Sequence, residues 1–129
     1  MAQVKIFGIQ STLDGVRNDL SDAIHRAVMD ALAYPAEKRF HRFIGLAKED
    51  FIYPSDRSDR YIVIEISVFE GRSIETKKTL IRSLYQCIEE KTGISSQDIE
   101  ITIFETPRSA WGIRGLPGDE IGLNYKVEV

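Results

Sequence analysis

Shifted by 60 residues, the sequence lies on itself without a gap. Val4 falls on Ile64, Ile6 on Ile66, Leu20 on Leu80, Ile24 on Leu84, Val28 on Ile88 and Tyr34 on Ile94. Each half carries the same succession of hydrophobic periods. Val4 to Gly8 is a short apolar run with β-branched residues, which reads as a strand. From Asp14 to Leu32 the period changes: Val16, Leu20, Ala23, Ile24, Ala27, Val28 and Ala31 form the stripe of an amphipathic helix. Ser11 or Thr12 is placed to cap it, and Pro35 marks the turn out of it. Phe40 to Leu46 reads as a second strand. The second half repeats this with a strand from Tyr61 to Phe69 and a helix from Ile74 to Thr92. Ser73 is its cap, Gly93 its left-handed terminus, and Ile99 to Glu105 the closing strand. Leu80, Leu84, Cys87, Ile88 and Lys91 form the inner edge of that helix.

This pattern predicts an α/β (α+β) fold of tandem duplicated βαβ units. Their strands form one four-stranded sheet with two helices on one face. A single domain spans residues 1–129, with pseudo-repeats 3–47 and 61–106 joined by a loop from Lys48 to Arg60. The tail 107–129 is rich in Pro and Gly, which predicts loops and a small hairpin around Asn124 and Tyr125. A tail of this length bearing Trp111 is expected to dock, in an oligomer on the neighbouring subunit. If Ile62, Ile64, Ile66 and Val68 face the helices, then Lys5, Phe7, Glu65, Ser67, Phe69, Glu100, Thr102 and Phe104 face the other way. That mixed face suits either contact with other subunits or an ordinary solvated sheet.

Composition excludes some classes of function. Seventeen Lys and Arg against 20 Asp and Glu give a net charge of −3, which argues against a nucleic-acid partner. No apolar run is long enough for a membrane span, and the start of the chain lacks a signal-peptide core. Cys87 is the only cysteine, so no internal disulfide forms, and a reducing, cytoplasmic location is expected. Its place on the apolar side of a helix predicts a buried, inert thiol. His25 reads as a solvated helix residue, and His41 has no second histidine at ligand spacing. No metal and no cofactor are expected, and no phosphate-cradling glycine motif is present.

Four short segments follow one another on this duplicated chain. They are Tyr34-Pro35-Ala36-Glu37-Lys38-Arg39-Phe40, Gly71-Arg72-Ser73, Gly93-Ile94-Ser95 and Trp111-Gly112-Ile113-Arg114-Gly115. In this order they resemble the tautomerase superfamily, in particular the two-unit chains of the malonate semialdehyde decarboxylase branch. The resemblance covers nearly the whole chain and implies a tautomerase/MIF-like fold, a homotrimer and isomerase chemistry. That chemistry depends on a proline at the mature N-terminus. Here Ala2 stands in its place after removal of Met1, which leaves a primary amine. Such an amine titrates near 7.7–8.0 in water, and an apolar pocket lowers that value. The branch also carries an aspartate where this chain has Lys38, and an arginine pair of which Glu70 replaces the first and Arg72 keeps the second. Malonate semialdehyde decarboxylation is therefore not expected.

Ala2 and Arg72 are the candidate catalytic residues. Arg72 follows a central strand and precedes a helix, a common location for ligand contacts, and a guanidinium can grip a carboxylate through two parallel hydrogen bonds. The competing reading is a surface arginine paired with Glu70 or Glu75. Lys38 and Arg39 add positive charge for an anionic substrate, or form an exposed loop pair. Trp111 either walls the pocket or anchors packing of the tail. The expected function is proton transfer on a small anionic 2-oxo acid or enol. The alternative is a non-catalytic trimeric binding or scaffold protein that has lost the ancestral chemistry.

Overall fold

The computed structural model describes residues 2–129. Its order of elements follows the duplicated pattern: β1 (Ala2–Ile9), α1 (Gln10–Leu32), β2 (His41–Leu46), β3 (Ile62–Phe69), α2 (Ile74–Thr92) and β4 (Ile99–Thr106). A small hairpin, β5 (Gly112–Ile113) and β6 (Leu116–Pro117), follows. The strands lie in the order β2-β1-β3-β4. Each half contributes a parallel pair, and the halves meet through the antiparallel pairing of β1 with β3. Both helices pack on one face of this sheet and against each other.

The core lies between that sheet face and the helices. Val4, Ile6, Ile62, Ile64 and Ile66 point into it from the central strands, and Leu20, Ile24, Leu80, Leu84 and Ile88 meet them from the helices. Every apolar pair of the 60-residue shift is buried, including Tyr34 and Ile94 beyond the two helix ends. Alternation in the strands and three- and four-residue steps in the helices therefore converge on one apolar layer.

Helix α2 forms as its sequence indicates. The Ser73 hydroxyl accepts from the Thr76 N–H at 3.1 Å, and Gly93 ends the helix at φ +74°. Helix α1 ends at Leu32, as its apolar stripe indicates, but departs from expectation at its start. It begins at Gln10, directly after Ile9, without a side-chain cap. Thr12 instead donates its hydroxyl proton to the Asp59 carbonyl at 2.7 Å, tying the helix to the loop between the halves. Ala33, in the left-handed region at φ 51°, ends it before Pro35 is reached.

Other expectations also require correction. Phe40 lies just outside β2 and is exposed, and Lys91 is exposed rather than on the inner edge of α2. Cys87 is half-buried, on a groove between the helices lined also by Asp22, Arg26 and Glu90. No hairpin forms around Asn124 and Tyr125; the one in the tail is β5–β6. The tail docks, as expected, and in the single chain it does so on its own sheet. It covers Phe69 with Trp111, Ile113 and Val127, so that residue of the outer sheet face is fully buried. Glu100, Thr102 and Phe104 remain exposed on the same face, and Phe7, Glu65 and Ser67 are half-buried.

His25 is 2% exposed, contrary to the solvated reading. Its Nε2 lies 2.7 Å from the Ala36 carbonyl, where it donates to the turn after α1. Beside it, His41 Nδ1 lies 2.7 Å from the Ser21 hydroxyl. Arg39 donates to that hydroxyl oxygen at 3.4 Å, which leaves the serine proton for His41. Burial, and then the positive charge of Arg39, draw His41 down from 6.5 to about 4. The unfolded chain therefore binds the additional proton between these values, and stability falls as the pH drops from about 6.5 towards 4. His41→Gln, which does not titrate, should flatten this part of the stability curve, as measured by urea unfolding at several pH values. An unchanged slope would assign the acid sensitivity to other groups.

Candidate active site

The antiparallel pairing of β1 with β3 sets the geometry of the site. Ala2 is opposite Val68, so the start of β1 lies beside the end of β3, four residues before Arg72. The two candidate catalytic residues thus reach the same end of the sheet from opposite chain directions. Ala2 is 3% exposed and its nitrogen donates to the Tyr34 hydroxyl at 3.0 Å. Met1, whose removal is expected, lies outside the described residues.

Tyr34 sits in the turn after α1, within the first of the four family-like segments. Its ring meets Tyr125 edge-on, with centroids 4.9 Å apart, and Tyr125 bridges the main core and the cluster around Phe69. Burial raises both phenols above their usual range, Tyr34 the further. Both hydroxyls are therefore protonated at neutral pH. The positive charge of Arg72 acts on each of them in the opposite sense, lowering both.

Arg72 is 5% exposed. It pairs with neither Glu70 nor Glu75, the partners of the surface reading; Glu75 faces Arg82 instead. One amino group, Nη1, donates to the Phe69 carbonyl at 3.3 Å. Nε and Nη2 are buried and lack a hydrogen-bond partner among the described residues. Burial lowers the pKa of Arg72, the neighbouring tyrosines and Glu128 acting against it, yet a guanidinium stays charged at any physiological pH. A buried cation with two adjacent unmet donors on one planar edge matches the two oxygens of a carboxylate.

The remaining candidates are dispersed. Arg39 is bound to Asp22 at 2.7 Å on the exposed side of α1. Lys38 is half-buried in the turn that leads from Tyr34, with its backbone N–H on the Pro35 carbonyl. That turn lies at the Ala2 end of the sheet, because the Val4 N–H donates to the Phe40 carbonyl. Trp111 packs edge-on against Phe69, centroids 5.0 Å apart, as an anchor of the tail. Val129 completes the docking of the tail: its carbonyl accepts from the Ser73 N–H and from the Thr76 hydroxyl, directly beside Arg72.

Sequence reasoning did not select Tyr34 and Tyr125 as site residues. A tyrosine at the end of an apolar stripe resembles any core aromatic, and only the fold brings Tyr125 across 91 positions to meet it. The signal available for Tyr34 was its position in a motif otherwise made of turn residues and charges.

Comparison with known proteins agrees with this architecture. The family described as "Tautomerase enzyme" matches residues 38–114. A 2-hydroxymuconate tautomerase from Comamonas testosteroni is 34% identical over 58 residues, covering 45% of this chain and 92% of that protein. The crystal structure of malonate semialdehyde decarboxylase superimposes with a TM-score of 0.81 at 22% identity, over 92% of this chain and 99% of that one. A fused 4-OT, an asymmetric trimer, gives the same TM-score and identity over 94% and 99%. At that identity the structural likeness establishes the fold, while the family match covers more than half of the chain. Among the described residues, no helix is long and apolar enough to cross a membrane. The chain belongs to the tautomerase family.

Proposed function

We propose that the protein moves a proton at the carbon next to the carbonyl of a small 2-oxo acid or its enol. The Ala2 amine, freed by removal of Met1, is the base, and Arg72 holds the carboxylate. The observation that carries this reading is the buried Arg72 with two unmet donors at the sheet end that also holds the Ala2 nitrogen. A neutral amine accepts the proton from carbon, and the positive charge nearby stabilises the enolate that forms. Arg72 also disfavours the ammonium form, which keeps more of the amine ready to act at neutral pH. Lys38 adds charge from the adjoining turn. Arg39 joins it only by leaving Asp22, an exposed pair that solvent screens and holds weakly. Trp111 bounds the site through Phe69.

The reading includes a homotrimer assembled through the uncovered sheet face, in keeping with the trimeric relative. It is tested by following exchange of the C3 protons of phenylpyruvate in D2O by NMR. The chain beginning at Ala2 should accelerate exchange, and acetylation of Ala2 should abolish it. Exchange that survives acetylation contradicts the assignment of the base. The near-complete burial of Ala2 and Arg72 favours a second reading, a non-catalytic trimeric binder of small carboxylates. Binding of the 2-oxo acid without exchange would select it.

A further inference from the structure

A primary amine in place of proline raises a problem of direction. Proline's nitrogen is locked in a ring; an alanine amine turns freely about N–Cα and carries an extra hydrogen. Unless an N–H is held, its lone pair has no fixed aim. Tyr34 supplies such a hold: its hydroxyl oxygen accepts from the Ala2 backbone N–H at 3.0 Å in a buried setting, and removal of Met1 leaves an N–H on that same nitrogen. An oxygen that accepts there must send its own proton elsewhere. Tyr125 lies against Tyr34, edge-on with ring centroids 4.9 Å apart, and its hydroxyl is the neighbouring oxygen that can take this proton. Arg72, beside Tyr125, favours a phenol oxygen that is electron-rich and accepting.

We propose that Tyr34 is the positioning residue of the Ala2 amine. Tyr125 turns the Tyr34 proton away, so that the amine's lone pair stays open to a ligand held by Arg72. The proposal rests on the preceding reading in taking Ala2 as the first residue and Arg72 as the ligand's grip. Tyr34 acts through the amine and does not itself exchange a proton with substrate. The arrangement does for a primary amine what a ring does for proline, and it links the base to the carboxylate grip through two side chains from distant parts of the sequence.

Two conservative variants separate the roles. In Tyr34→Phe the ammonium form loses its acceptor, so the amine should titrate lower by about one pH unit. In Tyr125→Phe the Tyr34 hydroxyl is released to donate to the amine's lone pair, which stabilises the neutral form and also lowers the titration. Without the Tyr34 hydroxyl there is nothing left to release, so the double variant should titrate no lower than Tyr34→Phe. The experiment uses protein starting at Ala2 and measures the pH dependence of acylation of its terminal amine by mass spectrometry, with circular dichroism to establish folding.

An amine midpoint unmoved in Tyr34→Phe, or shifts that add in the double variant, would overturn the proposal. If Tyr34→Phe does not fold, Tyr125→Phe decides: a lower midpoint supports the proposal and an unchanged one overturns it. Shifted midpoints in a protein that exchanges no phenylpyruvate protons would remove the catalytic reading and leave the positioning role standing. Turnover with unmoved midpoints would do the reverse.

Discussion

Arg72→Met is expected to weaken binding of a small carboxylate such as phenylpyruvate by about a hundredfold and, at the same time, to raise the unfolding temperature. The two effects have one cause. In the unliganded chain the guanidinium is removed from water; Nη1 donates to the Phe69 carbonyl, while Nε and Nη2 have no hydrogen-bond partner among the described residues. A buried charge with unmet donors costs several kcal/mol, so an apolar residue of similar length in its place should stabilise the unliganded chain. Arg72 has its pKa lowered by burial, so its charged form is less stable in the folded chain than in the unfolded one at every pH below that value. The carboxylate of a ligand would complete the pairing, with charge-assisted hydrogen bonds of about 1.5–3 kcal/mol each. Calorimetric titration and thermal unfolding of the same preparation check both halves. A variant that loses stability together with binding would mean that Arg72 is structural.

The second large effect falls on the core. Ile64 is fully buried and lies opposite Ile6 in the pairing that joins the halves. Ile64→Ala removes three carbons where sheet and helices are already packed, so about 3–5 kcal/mol of stability should be lost. Natural domains have roughly 5–15 kcal/mol in total, so urea unfolding should show a marked drop in the midpoint. The same change at Val63, half-buried on the other face of the same strand, should cost less in the separate chain. Equal losses at the two positions would show that the outer face is covered in solution.

The alternation from Ile62 to Val68 and the helical stripe through Leu20, Ile24 and Val28 indicated the sheet, the helices and the face each buries, because periodicity reports burial directly. Ser73 and Gly93 located α2 to the residue, since both act through local backbone geometry. Ser11 and Thr12 misled for the opposite reason. Whether a hydroxyl caps a helix depends on what else it can reach, and Thr12 reaches the Asp59 carbonyl in the other half of the chain. His25 was misread because its partner, the Ala36 carbonyl, appears only when the chain turns back after α1.

The site divides in the same way. Ala2 and Arg72 were legible through the motifs around them, and the β1–β3 pairing places them at one end of the sheet. Tyr125 was not, because Tyr34 and the cluster around Phe69 are brought to it only by tertiary packing of the tail. The unmet Nε and Nη2 of Arg72 were also out of reach, as the surface reading with Glu70 or Glu75 was equally consistent with the sequence.

The most direct test of the account is a crystal structure of the chain starting at Ala2 with phenylpyruvate bound. The carboxylate should lie on Nε and Nη2 of Arg72, with the carbon next to the carbonyl roughly 3–3.5 Å from the Ala2 nitrogen. A ligand seated elsewhere, with those two donors of Arg72 still unmet, would contradict it.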